Sequence, residues 1–366
     1  MALKRDRGRF FEDAEVGDEY ASPARTVTEA DIAAFAALTG DHSPMHTDEE
    51  FCRRRGLEGR IAHGLLGLGM VEGLLFRVPP PEGRGLASLG WRWRFLRPIR
   101  PGDTVRIRWR IASKRLSRSR PGQGVVEEAI RLMNQREEIV QEGTHAILLA
   151  CRPAGVEAGV ADGEAGSPTR GRSGDSGEAV LVSFQEARDE WTAAWQAFVK
   201  PAEGSHAAGE FWEEGEAAFE DLQVGQRFAS PRRTVAEADV LAFAGITGDY
   251  AMVHTDEEYC RGTEFGTRIA HGLLGLSLAE GLRRRLGGAG GVGSGAVPLE
   301  WAWSFRQPIV PGDTIRVDWT IRETRPSRRN PAFGIVLQDV RLRNQRDTIV
   351  QEGHYAQLMR RRLPAG

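Results

Sequence analysis

The chain has little cysteine: Cys52, Cys151 and Cys260 are the only three among 366 residues. An odd number without metal-type spacing argues against a disulfide framework or a thiolate metal centre, and for packing thiols in a reducing compartment. No apolar run of about 18 residues occurs, and the N-terminal MALKRDRGRF lacks an apolar core of signal-peptide length. A cytoplasmic protein with no membrane partner is therefore expected. Lysine is also scarce, with Lys4, Lys114 and Lys200 alone among 49 basic residues, the rest being arginine. Against 51 acidic residues the formal charge is -2, so no general positive field exists to hold nucleic acid. Any anion must be met locally, by arginine forks. A content of 40% hydrophobic and 27% charged residues excludes a wholly disordered or collagen-like chain. The length predicts two domains rather than one.

What the chain does have is an internal repeat. Residues 11–74 align without gaps on residues 219–282, and 39 of the 64 positions are identical. A two-residue insertion later, WRWRFLRPIRPGDT from Trp91 falls on WAWSFRQPIVPGDT from Trp301, and Asn134-Gln135-Arg136 falls on Asn344-Gln345-Arg346. Residues 152–178 contain seven glycines and no Leu, Ile, Phe, Met, Trp or Tyr, too little apolar surface to order a segment. The reading is an N-terminal domain over 10–151, a flexible Gly-rich linker over 152–185, a short amphipathic helix and connector over 186–210, and a C-terminal domain over 211–366.

Each half runs through the same elements. Thr28 opens a short helix that Gly40 breaks, and capping-box patterns at Thr47 with Glu50 and Thr255 with Glu258 open another. An apolar, Gly-studded helix is expected from Gly64 to about Val78. Strand-like alternation follows over Leu89–Phe95, Thr104–Ala112, Val125–Leu132 and Ile139–Leu149. Antiparallel strands can bury one long helix only by curling around it, so the fold class is α+β, twice.

The loop after the first helix reads Gly40-Asp41-His42-Ser43-Pro44-Met45-His46, and its counterpart Gly248-Asp249-Tyr250-Ala251-Met252-Val253-His254. All four residues between the acid and the imidazole differ while Asp41/Asp249 and His46/His254 persist, which singles out the pair as candidates for acid-base work. Seventeen residues past each of these histidines stands another, His63 in Arg60-Ile61-Ala62-His63-Gly64 and His271 in Arg268-Ile269-Ala270-His271-Gly272, where the long helix begins. The unpaired N–H groups of a helix start, with no side chain at Gly64 or Gly272, suit an oxyanion site. Gly67 and Gly275 read as close-approach positions, and His63 and His271 as hydrogen-bonding rather than catalytic residues. Glu72 and Glu280, eight residues after Gly64 and Gly272, are placed facing the same pocket as the glycine of their own helix, with a salt bridge to arginine.

The order Gly-Asp-x-x-Pro-x-His, a short helix, then Ile-Ala-His-Gly resembles the MaoC-like (R)-specific enoyl-CoA hydratase family of the hotdog fold. That family's motif is Asp-x-Asn-Pro-Leu-His. Ser117-Arg118-Ser119-Arg120-Pro121-Gly122-Gln123-Gly124-Val125-Val126 and Asn134-Gln135 are similar to it as well. The tandem layout resembles bacterial double-hotdog dehydratases, including the mesaconyl-CoA and methylmalyl-CoA hydratase group, and more distantly the peroxisomal hydratase 2 module. The resemblance implies two hotdog units paired edge to edge as an intramolecular pseudo-dimer, and a homodimer of that double unit is a possible assembly. It implies reversible water addition to a trans-2-enoyl-CoA. Asp41 acts chiefly as base and then acid, His46 orients the water and Gly64 N–H binds the thioester oxygen, with Asp249, His254 and Gly272 repeating the set. No cofactor or metal is implied beyond the coenzyme A of the substrate, whose phosphates Arg118, Arg120, Arg328 and Arg329 are placed to meet.

Departures from the motif separate the halves. Ser43 and Met45 replace Asn and Leu in the first, where Pro44 stays. Ala251 and Met252 replace Asn and Pro in the second, which loses a hydrogen-bonding side chain and a turn-fixing ring. A hotdog acyl-CoA thioesterase and a non-catalytic acyl-CoA-binding protein are the alternatives, while no Gly-x-Ser-x-Gly elbow points to a covalent route.

Overall fold

The computed structural model of the chain describes residues 10–54, 57–78, 85–153, 217–286, 296–328 and 330–362. Beyond residue 153, the expected linker and the helix over 186–210 lie outside the described residues. The first half contains short strands β1 (Glu19–Ala21) and β2 (Arg25–Thr26), then helices α1 (Glu29–Thr39), α2 (Pro44–Thr47), α3 (Glu49–Arg54) and α4 (Gly64–Leu75). Strands β3 (Gly85–Phe95), β4 (Thr104–Leu116), β5 (Gln123–Met133) and β6 (Ile139–Ala150) follow. The second half repeats them as β7 (Arg227–Ala229), β8 (Arg233–Thr234), α5 (Glu237–Thr247), α6 (Met252–Thr255), α7 (Glu257–Arg261), α8 (Gly272–Arg284), β9 (Val297–Phe305), β10 (Thr314–Pro326), β11 (Phe333–Arg343) and β12 (Ile349–Arg360).

Local chemistry sets these boundaries. Thr28 Oγ1 accepts from Asp31 N–H at 3.1 Å and Asp31 Oδ2 accepts from Thr28 N–H at 2.8 Å, a reciprocal cap on α1. At its other end Gly40 takes φ 77°, a left-handed stop that costs glycine little. The expected caps at Thr47 and Thr255 are corrected by one residue: Asp48 Oδ1 accepts from Phe51 N–H and Asp256 Oδ1 from Tyr259 N–H, each at 2.9 Å. Thr47 already closes α2, so its hydroxyl donates backward to the carbonyls of His42 and Ser43.

The long helix α4 has no polar face, because it is covered from both sides. Every residue from Leu65 to Leu75 is buried. A Cβ at Gly67 would meet Gln141 of its own sheet, and one at Gly69 would meet Thr247 of the other half. The strands form one continuous sheet in the order β1-β4-β5-β6-β3-β9-β12-β11-β10-β7, with β2 and β8 beside β4 and β10. The halves join where β3 pairs antiparallel with β9, setting Trp91 opposite Trp303 and Trp93 opposite Trp301. Among the described residues no helix is long and apolar enough to cross a membrane.

A second seam joins the helices. A Cβ on Gly281 in α8 would lie 2.0 Å from the carbonyl oxygen of Thr39, and one on Gly73 in α4 would lie 2.1 Å from that of Thr247. Each long helix therefore rests on the end of the other half's first helix. Arg25 Nη1 donates to Ile246 O and Arg233 Nη1 to Leu38 O, each at 2.6 Å, satisfying carbonyls at those helix ends. Gly281→Ala should force this seam apart and lower stability by about 1–3 kcal/mol, the usual cost of overpacking. A denaturant midpoint equal to that of the unaltered chain would contradict the close approach.

Candidate active site

Three groups converge where α1 ends, α2 turns and α4 begins. Asp41, His46 and His63 are 5%, 7% and 2% exposed, and their donor atoms all lie within 4.8 Å of one another. The Asp41 carboxylate is held at one oxygen: Oδ1 accepts from Ser43 N–H at 3.1 Å and from Ser43 Oγ at 2.5 Å. His46 Nδ1 faces Ile61 O at 2.8 Å and therefore donates, leaving Nε2 as an acceptor. His63 Nε2 donates to the backbone oxygen of Asp41 at 2.9 Å, and its ring stacks on His46 with centroids 3.8 Å apart. His63 is thus the hydrogen-bonding residue expected, tying the Asp41 loop to the start of α4.

That helix start is fixed from below. Gln141 Nε2 donates to Gly64 O at 3.1 Å while its Oε1 accepts from Trp93 Nε1 at 2.8 Å. Gly64 is required for packing as well as for ligand approach, since a Cβ there would lie 2.7 Å from the Phe95 ring. As the first residue of α4, Gly64 presents an N–H without an intrahelical acceptor.

The site is finished by the other half. A cleft of about 730 Å³, measured with its open mouth, is lined by Asp41, His46, His63 and Gly64 and also by Ser277, Glu280, Arg284 and Trp301. Arg284 Nε lies 3.8 Å from Asp41 Oδ2 and 3.0 Å from Glu280 Oε1. Glu280 also pairs with the fully buried Arg283 at 2.6 Å. Burial alone would raise the Asp41 pKa, but the Arg284 guanidinium, helped by His63, His46 and the Ser43 hydroxyl, holds it far below the usual carboxylate range. Burial lowers His46, and burial with His46 beside it pushes His63 down to about 3, so both rings are neutral near pH 7. The three donors come as close as metal ligands do, yet a guanidinium beside Asp41 opposes a divalent cation. Burial also pushes the Cys52 thiol up to about 11, so it is no nucleophile at neutral pH.

Asp249, His254, His271 and Gly272 repeat the backbone geometry. His254 Nδ1 faces Ile269 O at 2.8 Å, His271 Nε2 faces Asp249 O at 2.9 Å, and the two rings are 3.8 Å apart. Ala251 leaves Asp249 only a backbone N–H in place of the Ser43 pair. The Glu72 carboxyl interacts with Asp249 and Glu280 lines the cleft that holds Asp41, so both glutamates cross the seam toward the site of the other half. Glu280 also makes the expected salt bridges to arginine. Burial raises Asp249, and burial with Asp249 nearby raises Glu72 further.

A sequence profile of the MaoC like domain matches residues 12–130 and again 221–339. The chain belongs to the MaoC-like family. Solved structures extend the likeness to the whole tandem fold: a MaoC domain protein of Chloroflexus aurantiacus superposes with TM-score 0.72 at 22% identity, covering 99% of this chain and 100% of that one. A Mycobacterium tuberculosis protein described as a double hotdog fold gives 0.69 at 19% identity, covering 96% and 98%. The MaoC-like chain is therefore two hotdog units in one continuous sheet, α+β in class.

Among named relatives, the beta-methylmalyl-CoA dehydratase of Chloroflexus aurantiacus is 26% identical over 77% of this chain and 74% of its own. The 3-hydroxybutyryl-CoA dehydratase of Methylorubrum extorquens is 39% identical over 30% of this chain and 68% of its own. Protein MaoC of Klebsiella aerogenes is 33% identical, and the match spans only 33% of its length.

Of the arginines placed on coenzyme A, Arg118, Arg120 and Arg328 are exposed on loops away from the cleft lining, and Arg329 lies outside the described residues. Arg120 pairs with Glu264 of the other half at 3.7 Å. The cleft itself carries Arg97 and Arg284. Arg284 and Gln141 were not singled out by the sequence reading. Arg284 had a signal in the repeat, since Arg283-Arg284-Arg285 stands where the first half has Leu75-Phe76-Arg77.

The buried imidazoles make stability depend on pH. His46, His63, His254 and His271 all have pKa values lowered from the ordinary 6.5, with burial the leading cause. The unfolded chain binds protons near that value while the folded one does not. Their contribution is therefore complete above about pH 6.5 and is lost as pH falls toward the folded values, at ~1.4 kcal/mol per pH unit for each ring that stays neutral. Melting temperature at constant ionic strength should fall from pH 7 to pH 5, with the raised Asp249 and Glu72 carboxyls, which take up protons on folding, offsetting part of the loss. A flat profile over that range would show these rings to be accessible to protons.

Proposed function

We propose that the chain is a hydro-lyase that reversibly adds water to a trans-2-enoyl-CoA, or removes it from a 3-hydroxyacyl-CoA, with (R) stereochemistry at C3. The observation that carries this reading is a pair of acceptors that take no hydrogen bond from the described residues, Asp41 Oδ2, with Arg284 Nε at 3.8 Å, and His46 Nε2, beside the open N-terminus of α4. A water donating one O–H to each acceptor has its lone pair free to attack C3. As the C3–O bond forms, one water proton passes to Asp41 and the C2=C3 electron pair moves onto the thioester oxygen. Gly64 N–H and the α4 dipole stabilise that oxygen most when its charge is greatest. The enolate then collapses, C2 taking the proton from Asp41, and the hydroxyl stays on C3.

A neutral His46, with Nδ1–H fixed on Ile61 O, orients the water without competing for its proton. The relatives named as dehydratases and hydratases of coenzyme A thioesters support the reaction class. Coenzyme A as part of the substrate, with the exposed Arg118, Arg120 and Arg328 on its phosphates, belongs to this proposal.

Loss of the enoyl absorbance of crotonyl-CoA or a short branched enoyl-CoA, without thiol release and with no effect of chelator, is the expected result. Thiol release would instead assign a thioesterase, and saturable binding without turnover an acyl-CoA carrier. Asp41→Asn should lower kcat by about 100- to 10,000-fold, the range for removing a general acid-base group, with little change in KM. Unchanged kcat would remove Asp41 from the chemistry.

A further inference from the structure

The two dyads are built alike, but their walls are not. The first faces Ser277, Glu280 and Arg284 of α8. The equivalent places on α4 are Gly69, Glu72 and Phe76. One carboxylate thus crosses toward the opposite dyad in each direction, while among the described residues a guanidinium pairs with a dyad aspartate in only one.

We infer that Arg284 is a positioning residue acting across the halves: it holds Asp41 ionised and oriented, and its absence from the opposite wall makes the first dyad the one that turns over at neutral pH. The inference rests on the hydro-lyase reading and adds to it which residue sets the charge of the site and which centre works. Arg284 and Asp41 side chains are 9% and 7% exposed, so their 3.8 Å contact is little screened. Glu280 fixes the guanidinium at 3.0 Å, and the seam at Gly281 brings that turn of helix against Thr39 and Asp41. The groups facing Asp41 are His46, His63, Ser43 and Arg284, with Glu280 and Tyr355 of β12 beside the guanidinium and Arg285 over Gly40. Both imidazoles are neutral, so the charge opposite Asp41 comes from Arg284.

Among the described residues Asp249 has no such partner. Its neighbours are His254, His271 and Glu72, and Glu72 Oε2 is buried without a hydrogen-bond partner among the described residues. Burial with Asp249 beside it raises Glu72, and burial raises Asp249, so two buried carboxyls without a cation favour sharing a proton. Asp249 also lacks the hydroxyl that Ser43 gives Asp41. The second dyad is therefore short of both the fixed charge and the fixed carboxylate orientation that the first enjoys.

The experiment uses the full chain with Arg284→Met and Arg284→Lys, each checked for an unchanged melting profile. Arg284→Met should lower kcat/KM at pH 7 roughly 100-fold, the scale of losing one electrostatic stabiliser. It should also move the acid limb of the kcat/KM profile to higher pH, and Arg284→Lys should restore much of both. An acid limb that stays in place overturns the inference. The substrate-free readout is infrared difference spectroscopy against Asp41→Asn, in which the Asp41 carboxylate band should protonate at higher pH once Arg284 is Met. That titration stands even if no thioester turns over, which would sink the hydro-lyase reading alone. At pH 7 the same method should show a protonated carboxyl band that Glu72→Gln or Asp249→Asn removes. Asp41→Asn should lower kcat at least about tenfold more than Asp249→Asn does, and equal losses would overturn the single working centre.

Discussion

Everything at the site depends on how closely two helices can cross between the halves. Gly281 lets α8 lie on the last carbonyl of α1, and Gly73 lets α4 lie on that of α5. Because these contacts are backbone to backbone, the end of each long helix is delivered into the opposite dyad. Arg25 and Arg233 hold the same seam by donating to the freed carbonyls. A single unit of this fold would carry an acid and an imidazole with one side of the cleft missing.

Duplication within one chain then permits what two identical subunits forbid, namely different walls. On the first dyad the buried charges are Asp41 and Glu280 against Arg283 and Arg284, a set that sums to neutrality in low dielectric. On the second the same geometry offers two carboxyls and, among the described residues, no guanidinium, so burial raises both and favours a proton on the pair. The hydrogen bonds of the histidine pairs are the same in both halves, so the contrast is one of charge and of the Ser43 hydroxyl rather than of backbone shape.

The fold was largely legible because its signals are local and doubled. Alternation over Thr104–Ala112 marked a strand that the structure carries on to Leu116 and the repeat doubled, while Thr28 marked a helix start that persists in the other half even with Ala236 in its place. The acid and imidazole were legible for the same reason, surviving where the four residues between them changed. Arg284 was not, since a search for sameness passes over Phe76 against Arg284 as drift. The glutamates show the other limit. Helical spacing put Glu72 near Gly64, which is true along α4, but sequence carries no record of the Gly73 and Gly281 contacts that turn the far end of each helix toward the opposite half.

A crystal structure of the full chain with a short 3-hydroxyacyl-CoA bound tests most directly whether one half completes the other's site. The account predicts the 3-hydroxyl between Asp41 Oδ2 and His46 Nε2, the thioester oxygen at Gly64 N–H, and the acyl group against Ser277 and Trp301 of the second half. An acyl chain that lies wholly within the first half, with α8 untouched, would contradict it.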